Sequence, residues 1–199
     1  MKLVFATNNS NKIKEVSNLI SNQIEIINLK DIGCKENIIE SENTIIDNAI
    51  LKANYIKNNY GYDCFADDTG LEVDFLNGRP GVYSKRFAGE NSTDELNMEK
   101  LLECMRKSNN RNARFRTVIA LNINNQVITF TGLCEGKILK QRRGNNGFGY
   151  DPIFFYPELK KTFAELKKDE KNNVSHRGKA LRNFCKILEK QINHKSNEI

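Results

Sequence analysis

The sequence predicts an α/β fold built on a mixed β-sheet, and three observations carry that expectation. Short apolar runs alternate with stretches in which apolar residues recur every three or four positions, as in strand–helix units. Residues 112–139 instead alternate one by one around Asn124-Asn125, a pair that tolerates positive φ, and so read as an antiparallel hairpin in an otherwise helix-crossed sheet. The length, 199 residues of which 39% are hydrophobic, suits one good-sized α/β domain or two small lobes with a real core.

The elements follow in order. Lys2 to Ala6 is a short buried strand, and Thr7-Asn8-Asn9-Ser10-Asn11-Lys12 is a polar loop. Ile13, Val16, Leu19 and Ile20 recur at helical spacing, so a helix starts near Asn11. A strand, a polar loop and a helix N-terminus together make an anion site, with free backbone N–H groups, the helix dipole and the charge of Lys12. Glu25 to Leu29 is a second strand. A mixed loop follows, containing Glu36, Glu40 and Glu42. Thr44-Ile45-Ile46-Asp47 caps a helix that ends near Asn58, with Ile46, Ala49, Ile50, Ala53 and Ile56/Lys57 as its stripe and Lys52 at the border of that stripe. Asn77 to Gly81 is a turn, and Ser92-Thr93-Asp94-Glu95 is a capping box ahead of Met98, Leu101, Leu102 and Met105. Ser175 caps the last helix, with Leu181, Phe184, Cys185, Leu188 and Ile192 as its inner face and a tail that frays from Asn193.

Chemistry concentrates in Cys64-Phe65-Ala66-Asp67-Asp68-Thr69-Gly70-Leu71-Glu72-Val73-Asp74. The reading is a buried strand that ends at two adjacent carboxylates, with Gly70 freeing the backbone to turn and a second strand from Leu71 to Phe75. Carboxylates there are placed to hold a hard cation and water. Asp67, Asp68, Glu72 and Asp74 would repel one another unless something positive sits among them. A second concentration is the glycine-rich loop Gln141 to Pro152, which carries two aromatics, Phe148 and Tyr150, and Asp151.

Composition excludes several classes. No apolar run approaches the ~18 residues that cross a bilayer, and Met1 to Ala6 is too short for a signal peptide. A cytoplasmic protein without a membrane partner is expected. Five scattered cysteines, an odd number with no C-x-x-C pair, argue against a zinc site or a disulfide framework. Only two histidines exist, so acid–base work falls to the carboxylates. The net charge of +6 is compatible with nucleic acid, a membrane surface or a polyphosphate ligand. The aromatics are scattered while the acids cluster, which argues against a nucleic-acid-binding module.

Five blocks, in order, resemble the inosine/xanthosine triphosphate pyrophosphatase family. They are Ala6-Thr7-Asn8-Asn9 with Lys12; Glu40 with Asn48-Ala49 and Lys52; Phe65 to Val73 continuing through Gly78 to Arg86; Gly147 to Pro152; and Lys171 with Ser175-His176-Arg177-Gly178. They span nearly the whole chain. Asn8 takes a place that is glycine in many members, and residue 69 is Thr where Ser is common. Glu40 stands in Ile-Glu-Ser-Glu-Asn, so Glu42 is its rival.

The resemblance implies a single domain over residues 1–199, with an elongated mixed sheet flanked by helices and two lobes around a central nucleotide-binding cleft. It also implies a homodimer and a Mg²⁺-dependent conversion of ITP, dITP or XTP to the monophosphate and pyrophosphate, which keeps these nucleotides out of DNA and RNA. A related hydrolase of different base or phosphate specificity is the alternative. In this reading Asp68 is the general base and, with Glu40, a metal ligand. Thr7, Asn8, Asn9, Lys12, Lys52, Thr69, Phe148, Gly149, Tyr150, Asp151, Lys171, His176 and Arg177 bind substrate. Lys12, Lys52, Lys171 and Arg177 are the cationic clamps on about four negative charges of triphosphate. Phe148 stacks on the purine, Asp151 accepts from base N–H groups, and His176 and Arg177 donate to a 6-oxo group.

Overall fold

The computed structural model describes residues 1–17, 20 and 24–196. Its strands are β1 (Lys2–Phe5), β2 (Glu25–Asn28), β3 (Cys64–Val73), β4 (Pro80–Gly81), β5 (Asn112–Ile123), β6 (Gln126–Ile138), β7 (Phe154–Tyr156) and β8 (Lys161–Thr162). Its helices are α1 (Ser10–Ser17), α2 (Ile45–Tyr60), α3 (Asp94–Cys104), α4 (Lys168–Val174) and α5 (His176–Ser196). All eight strands join one sheet in the order β2-β1-β3-β5-β6-β7-β8, with β4 paired to β3. β1 runs parallel to β2 and β3, whereas β4 on β3, β7 on β6 and β8 on β7 are antiparallel. The sheet is therefore mixed, as expected, and the β5–β6 hairpin turns at Asn124 and Asn125, whose φ values are 51° and 63°.

The chain divides into two compact units. The first comprises Met1–Asp68, Thr117–Gly132 and Lys179–Ile199, and the second Thr69–Arg116 and Leu133–Gly178. Each has its own apolar core. In the first, Phe5 stacks on Phe65 (centroids 4.4 Å apart, 11° between planes) and Phe184 packs on Phe65 at 4.9 Å. Leu3, Val16, Ile119, Leu121, Leu181 and Leu188 surround them. In the second, Phe115, Phe154 and Phe163 form a ring cluster with centroids 4.6 to 5.9 Å apart. Leu71, Val73, Met98, Leu101 and Met105 pack around it. Fully burying one such Phe or Leu stabilises by about 1.5–3 kcal/mol.

Four expectations need correction. β3 does not end at Asp67-Asp68: it runs unbroken from Cys64 to Val73, and Gly70 is not among the residues with positive φ. Sequence charge signalled a turn, but the strand is flanked on both sides by hydrogen-bonded neighbours, β1 and β5, and the buried Lys52 and partly buried Lys12 compensate Asp67 and Asp68. In α2 the inward residue is Ile45, not Ile46. Lys52 faces inward beside Ala49, Ala53 and Ile56 rather than bordering them, and the helix runs two residues past Asn58 to Tyr60, where Gly61 closes it at φ 76°. Thr93 rather than Ser92 caps α3, its hydroxyl accepting from the Leu96 amide. α5 continues past Asn193 to Ser196. In addition, α4 forms from Lys168 within the strongly charged run Lys160 to Asn173, to which the sequence assigns no element, and Leu19 lies outside the described residues.

Candidate active-site clusters

The first unit assembles its polar cluster from β1, α1, the loop before α2, α2 itself and the first half of β3. Asn9 caps α1: its side-chain oxygen accepts from the amides of Asn11 (3.0 Å) and Lys12 (3.3 Å), and Thr7 Oγ1 accepts from the Asn9 amide at 3.2 Å. An Asn at this position satisfies donors that the helix leaves open. It also holds Lys12 in the first turn, with Nζ 2.9 Å from Asp67 Oδ1. Asn8 is exposed in this loop.

Thr44 caps α2, accepting from the Asp47 amide at 3.0 Å. Two turns on, Lys52 donates to Glu40 Oε1 at 2.6 Å and to the Asp67 carbonyl at 2.7 Å, and lies 3.6 Å from Asp68 Oδ1. Asp67, Asp68 and Lys52 are 3, 6 and 7% exposed. Charges this deep are tolerable only when paired. Burial alone would pull the Lys52 ammonium down, but Asp68, then Glu40 and Asp67, outweigh it and hold its pKa above the ordinary lysine value. The two candidate metal ligands, Glu40 and Asp68, thus converge on one ammonium. Glu42, the rival, is exposed and tied through its backbone to Asn48. Among the described residues no group of three His, Cys, Asp or Glu side chains gathers at metal-binding distance.

The second unit gathers the other residues. Ser175 Oγ accepts from the Gly178 amide at 3.1 Å and so caps α5, placing His176 and Arg177 in its first turn. Arg177, 5% exposed, donates to Thr69 Oγ1 at 3.3 Å. Its guanidinium carbon is 5.8 Å from the centre of the Phe148 ring, and Lys171 Nζ is 4.9 Å from the same centre. Phe148 is half-buried and outside the unit's core. Its amide and Lys171 Nζ both donate to Asp151 Oδ2, at 2.9 and 2.6 Å. Gly147 has φ 82°, and a Cβ there would sit 2.0 Å from Asp151 Oδ2, so the loop closes on its own carboxylate only with glycine. The Gly149 amide donates to Asp94 Oδ2 at 2.6 Å.

The expected clamps therefore fall into two pairs. Lys12 and Lys52 belong to the carboxylate cluster of the first unit, and Lys171 and Arg177 to the aromatic cluster of the second. Three expected substrate contacts have internal partners. Tyr150 packs in the core of the second unit, and its hydroxyl donates to the Ser84 carbonyl at 2.8 Å. The His176 ring stacks on Phe115 at 4.5 Å and 16°. Asp151 organises its own loop. Sequence reasoning missed Ser84 and Asp94. Ser84 stood inside a block that resembled the family without a role, and Asp94 follows a helix cap, where an acid needs no further explanation.

This α/β protein thus sets one buried and one partly buried lysine among strand-borne carboxylates, and a half-buried ring among cations. Residues 3–187 match the family model of the Ham1 family, and the chain belongs to that family. The dITP/XTP pyrophosphatase of Flavobacterium psychrophilum is 58% identical over 182 residues, covering 92% of this chain and 96% of that protein. That of Christiangramia forsetii is 54% identical over 190 residues, covering 96% and 100%. Among solved structures, the Ham1 protein of Staphylococcus aureus matches with a TM-score of 0.90 at 38% identity, over 96% of this chain and 100% of that one. The HAM1 protein of Coxiella burnetii matches at 0.91 and 39%, over 96% and 99%.

Proposed function

We propose that the protein hydrolyses non-standard purine nucleoside triphosphates (ITP, dITP and XTP) to the monophosphate and pyrophosphate. The carboxylate–lysine cluster around Lys52 carries this reading. A triphosphate bears about four negative charges that catalysis must neutralise, and Lys12 and Lys52 offer two fixed ammonium groups beside carboxylates that can take a proton. Asp68 removes the proton from the attacking water, oxygen bonds to the α-phosphorus, and the bond to the departing pyrophosphate breaks. Asp67, paired with Lys12, keeps that lysine in place.

The donor set suits Mg²⁺, which is commonly held by one or two carboxylates with water and substrate phosphates completing the shell. Glu40 and Asp68 would hold it, and when bound it would neutralise phosphate charge and acidify bound water. In the second cluster, Phe148 offers its face to the base, a contact worth roughly 1–3 kcal/mol. Arg177 has only donors, so it pairs with a 6-oxo group and not with a 6-amino group. The working assembly is read as a homodimer, which light scattering would report as twice 22.8 kDa.

The test is purified protein with ITP, XTP, ATP and GTP, with Mg²⁺ or with a chelator. Pyrophosphate should appear from ITP and XTP, only with the metal, and faster than from ATP. Orthophosphate as the product, or equal turnover of ATP, would overturn the reading in favour of a hydrolase of different specificity.

A further inference from the structure

The segment Gly78 to Arg86 carries a family resemblance without a function to explain it. Its structure offers one. Pro80 and Gly81 pair with Glu72 and Leu71 of β3 as the short strand β4. Ser84 then opens a turn of 3-10 helix (Ser84–Arg86). The Ser84 hydroxyl donates to the Gly81 carbonyl at 2.6 Å and accepts from the Leu71 amide at 2.8 Å. Leu71 is fully buried, so without that hydroxyl its N–H loses a partner. The Ser84 carbonyl in turn accepts the Tyr150 hydroxyl at 2.8 Å. One residue thereby joins β3, two positions past Thr69, to the loop that carries Phe148.

Three successive residues of that loop, Phe148 to Tyr150, are each tied to a different partner. The Phe148 amide goes to Asp151, the Gly149 amide to Asp94, and the Tyr150 side chain to Ser84. Gly147, Gly149 and their positive φ values, 82° and 61°, leave the backbone little intrinsic preference for one conformation, so these ties decide where the Phe148 ring sits. The third tie is anchored in the apolar core: Tyr150 is 5% exposed. Burial, and then the charge of Asp94, push its phenol well above the ordinary tyrosine value, so the hydroxyl stays a donor.

We propose that Ser84 is a positioning residue of the nucleotide site, through which Tyr150 holds the Phe148 loop, and that Tyr150 acts by this strut rather than by touching substrate. This rests on the proposed reading that Phe148 receives the base. The ring presented by a held loop binds without first paying to order it. Loosening the strut therefore weakens nucleotide binding and leaves the chemical step on β3 intact.

Two variants test it. Tyr150→Phe keeps the ring in the core and removes only the hydroxyl. Ser84→Ala removes the tie to Leu71 and Gly81. Tyr156→Phe is the control, since the Tyr156 hydroxyl donates to Glu158. For Tyr150→Phe, KM for ITP should rise about fivefold with kcat unchanged within about twofold, the signature of lost binding rather than lost transition-state stabilisation. Amide hydrogen exchange of the substrate-free protein should quicken over residues 147–151 in both variants, and the control should move neither reading. Ser84→Ala that fails to fold leaves the decision with Tyr150→Phe. Faster exchange with an unchanged KM would make the strut merely structural and overturn the proposal. Unchanged exchange in Tyr150→Phe would overturn it too, and that reading needs no activity. If the wild-type protein releases no pyrophosphate from ITP, the proposed function fails separately, and the exchange data alone then decide for or against the strut.

Discussion

Asp68, Lys52 and Arg177 each concentrate one consequence of burial. Asp68→Asn keeps the shape and removes the charge that takes a proton from water, which should cost about 10²–10⁴ in kcat; thermal melting should show a folded protein. Activity within a few fold of wild type would move the base to another carboxylate. Lys52→Met removes the cation to which Glu40, Asp68 and the Asp67 carbonyl are bound. Breaking a buried pair from one side costs about 3–5 kcal/mol, which lowers the melting temperature by roughly 6–20 °C in a chain of this size. A melting temperature within a degree of wild type would show that water already carries that neutralisation. Arg177→Lys keeps the charge and loses the planar fork. If Arg177 reads the base, the ratio of kcat/KM for ITP over ATP should fall about tenfold, equivalent to roughly 1.4 kcal/mol. An unchanged ratio, measured side by side, would restrict Arg177 to holding Thr69 and phosphate.

The elements show how local signals compete with packing. In α2 the end at Tyr60 lies two residues beyond the expected one, whereas the helix and its Thr44 cap follow the sequence signals closely. The inward face does not, because a lysine in the stripe reads as a border residue until a partner for it is known. β3 is the same case in a strand. Asp and Gly are poor strand residues, and Asp67-Asp68-Thr69-Gly70 reads as a turn. Ladders on both sides, the buried Lys52 and the partly buried Lys12 reverse that preference. The Phe148 loop is governed by backbone freedom instead. Gly147→Ala places a Cβ within 2.0 Å of Asp151 Oδ2 at φ 82°, so it must displace the carboxylate that holds Phe148 and Lys171. We expect it to raise KM for ITP by about as much as losing the stack, roughly 5- to 150-fold for 1–3 kcal/mol, with kcat less affected. An unaltered KM would mean that the loop reaches its bound form without Asp151.

At the scale of the whole molecule, each compact unit is made of pieces distant in sequence. The first draws on three segments and the second on two. No single cut divides the chain into the two units, each complete. A chain ending at residue 116 lacks the Ile119, Leu121, Phe130, Phe184 and Leu188 side chains of the first core and the Phe154 and Phe163 side chains of the second. It should show no cooperative thermal transition by circular dichroism, and a sharp transition in that fragment would mean that one unit folds from fewer segments than it contains here. No helix among the described residues is long and apolar enough to cross a membrane.

Much of this protein was legible in its residues alone. The Thr44 and Ser175 caps and the Asn124-Asn125 turn follow from forces between residues close in sequence, and all appear as the sequence implies. So do the chemically loaded stretches, since carboxylates, lysines and a glycine-flanked phenylalanine are recognisable by type. Only the tertiary structure decided what those side chains meet. It turned Asp67 and Asp68 from a strand end into the middle of a central strand. It buried Lys52 against Glu40, took Asn9 for a helix cap, and gave Tyr150 and Asp151 internal partners. The physical reason is common to all of them. Whether a charge or a hydroxyl is exposed, paired or held depends on groups far along the chain, such as Lys52 against Glu40 and Asp68, or Ser84 against Leu71 and Tyr150, and no local pattern contains both members of such a pair.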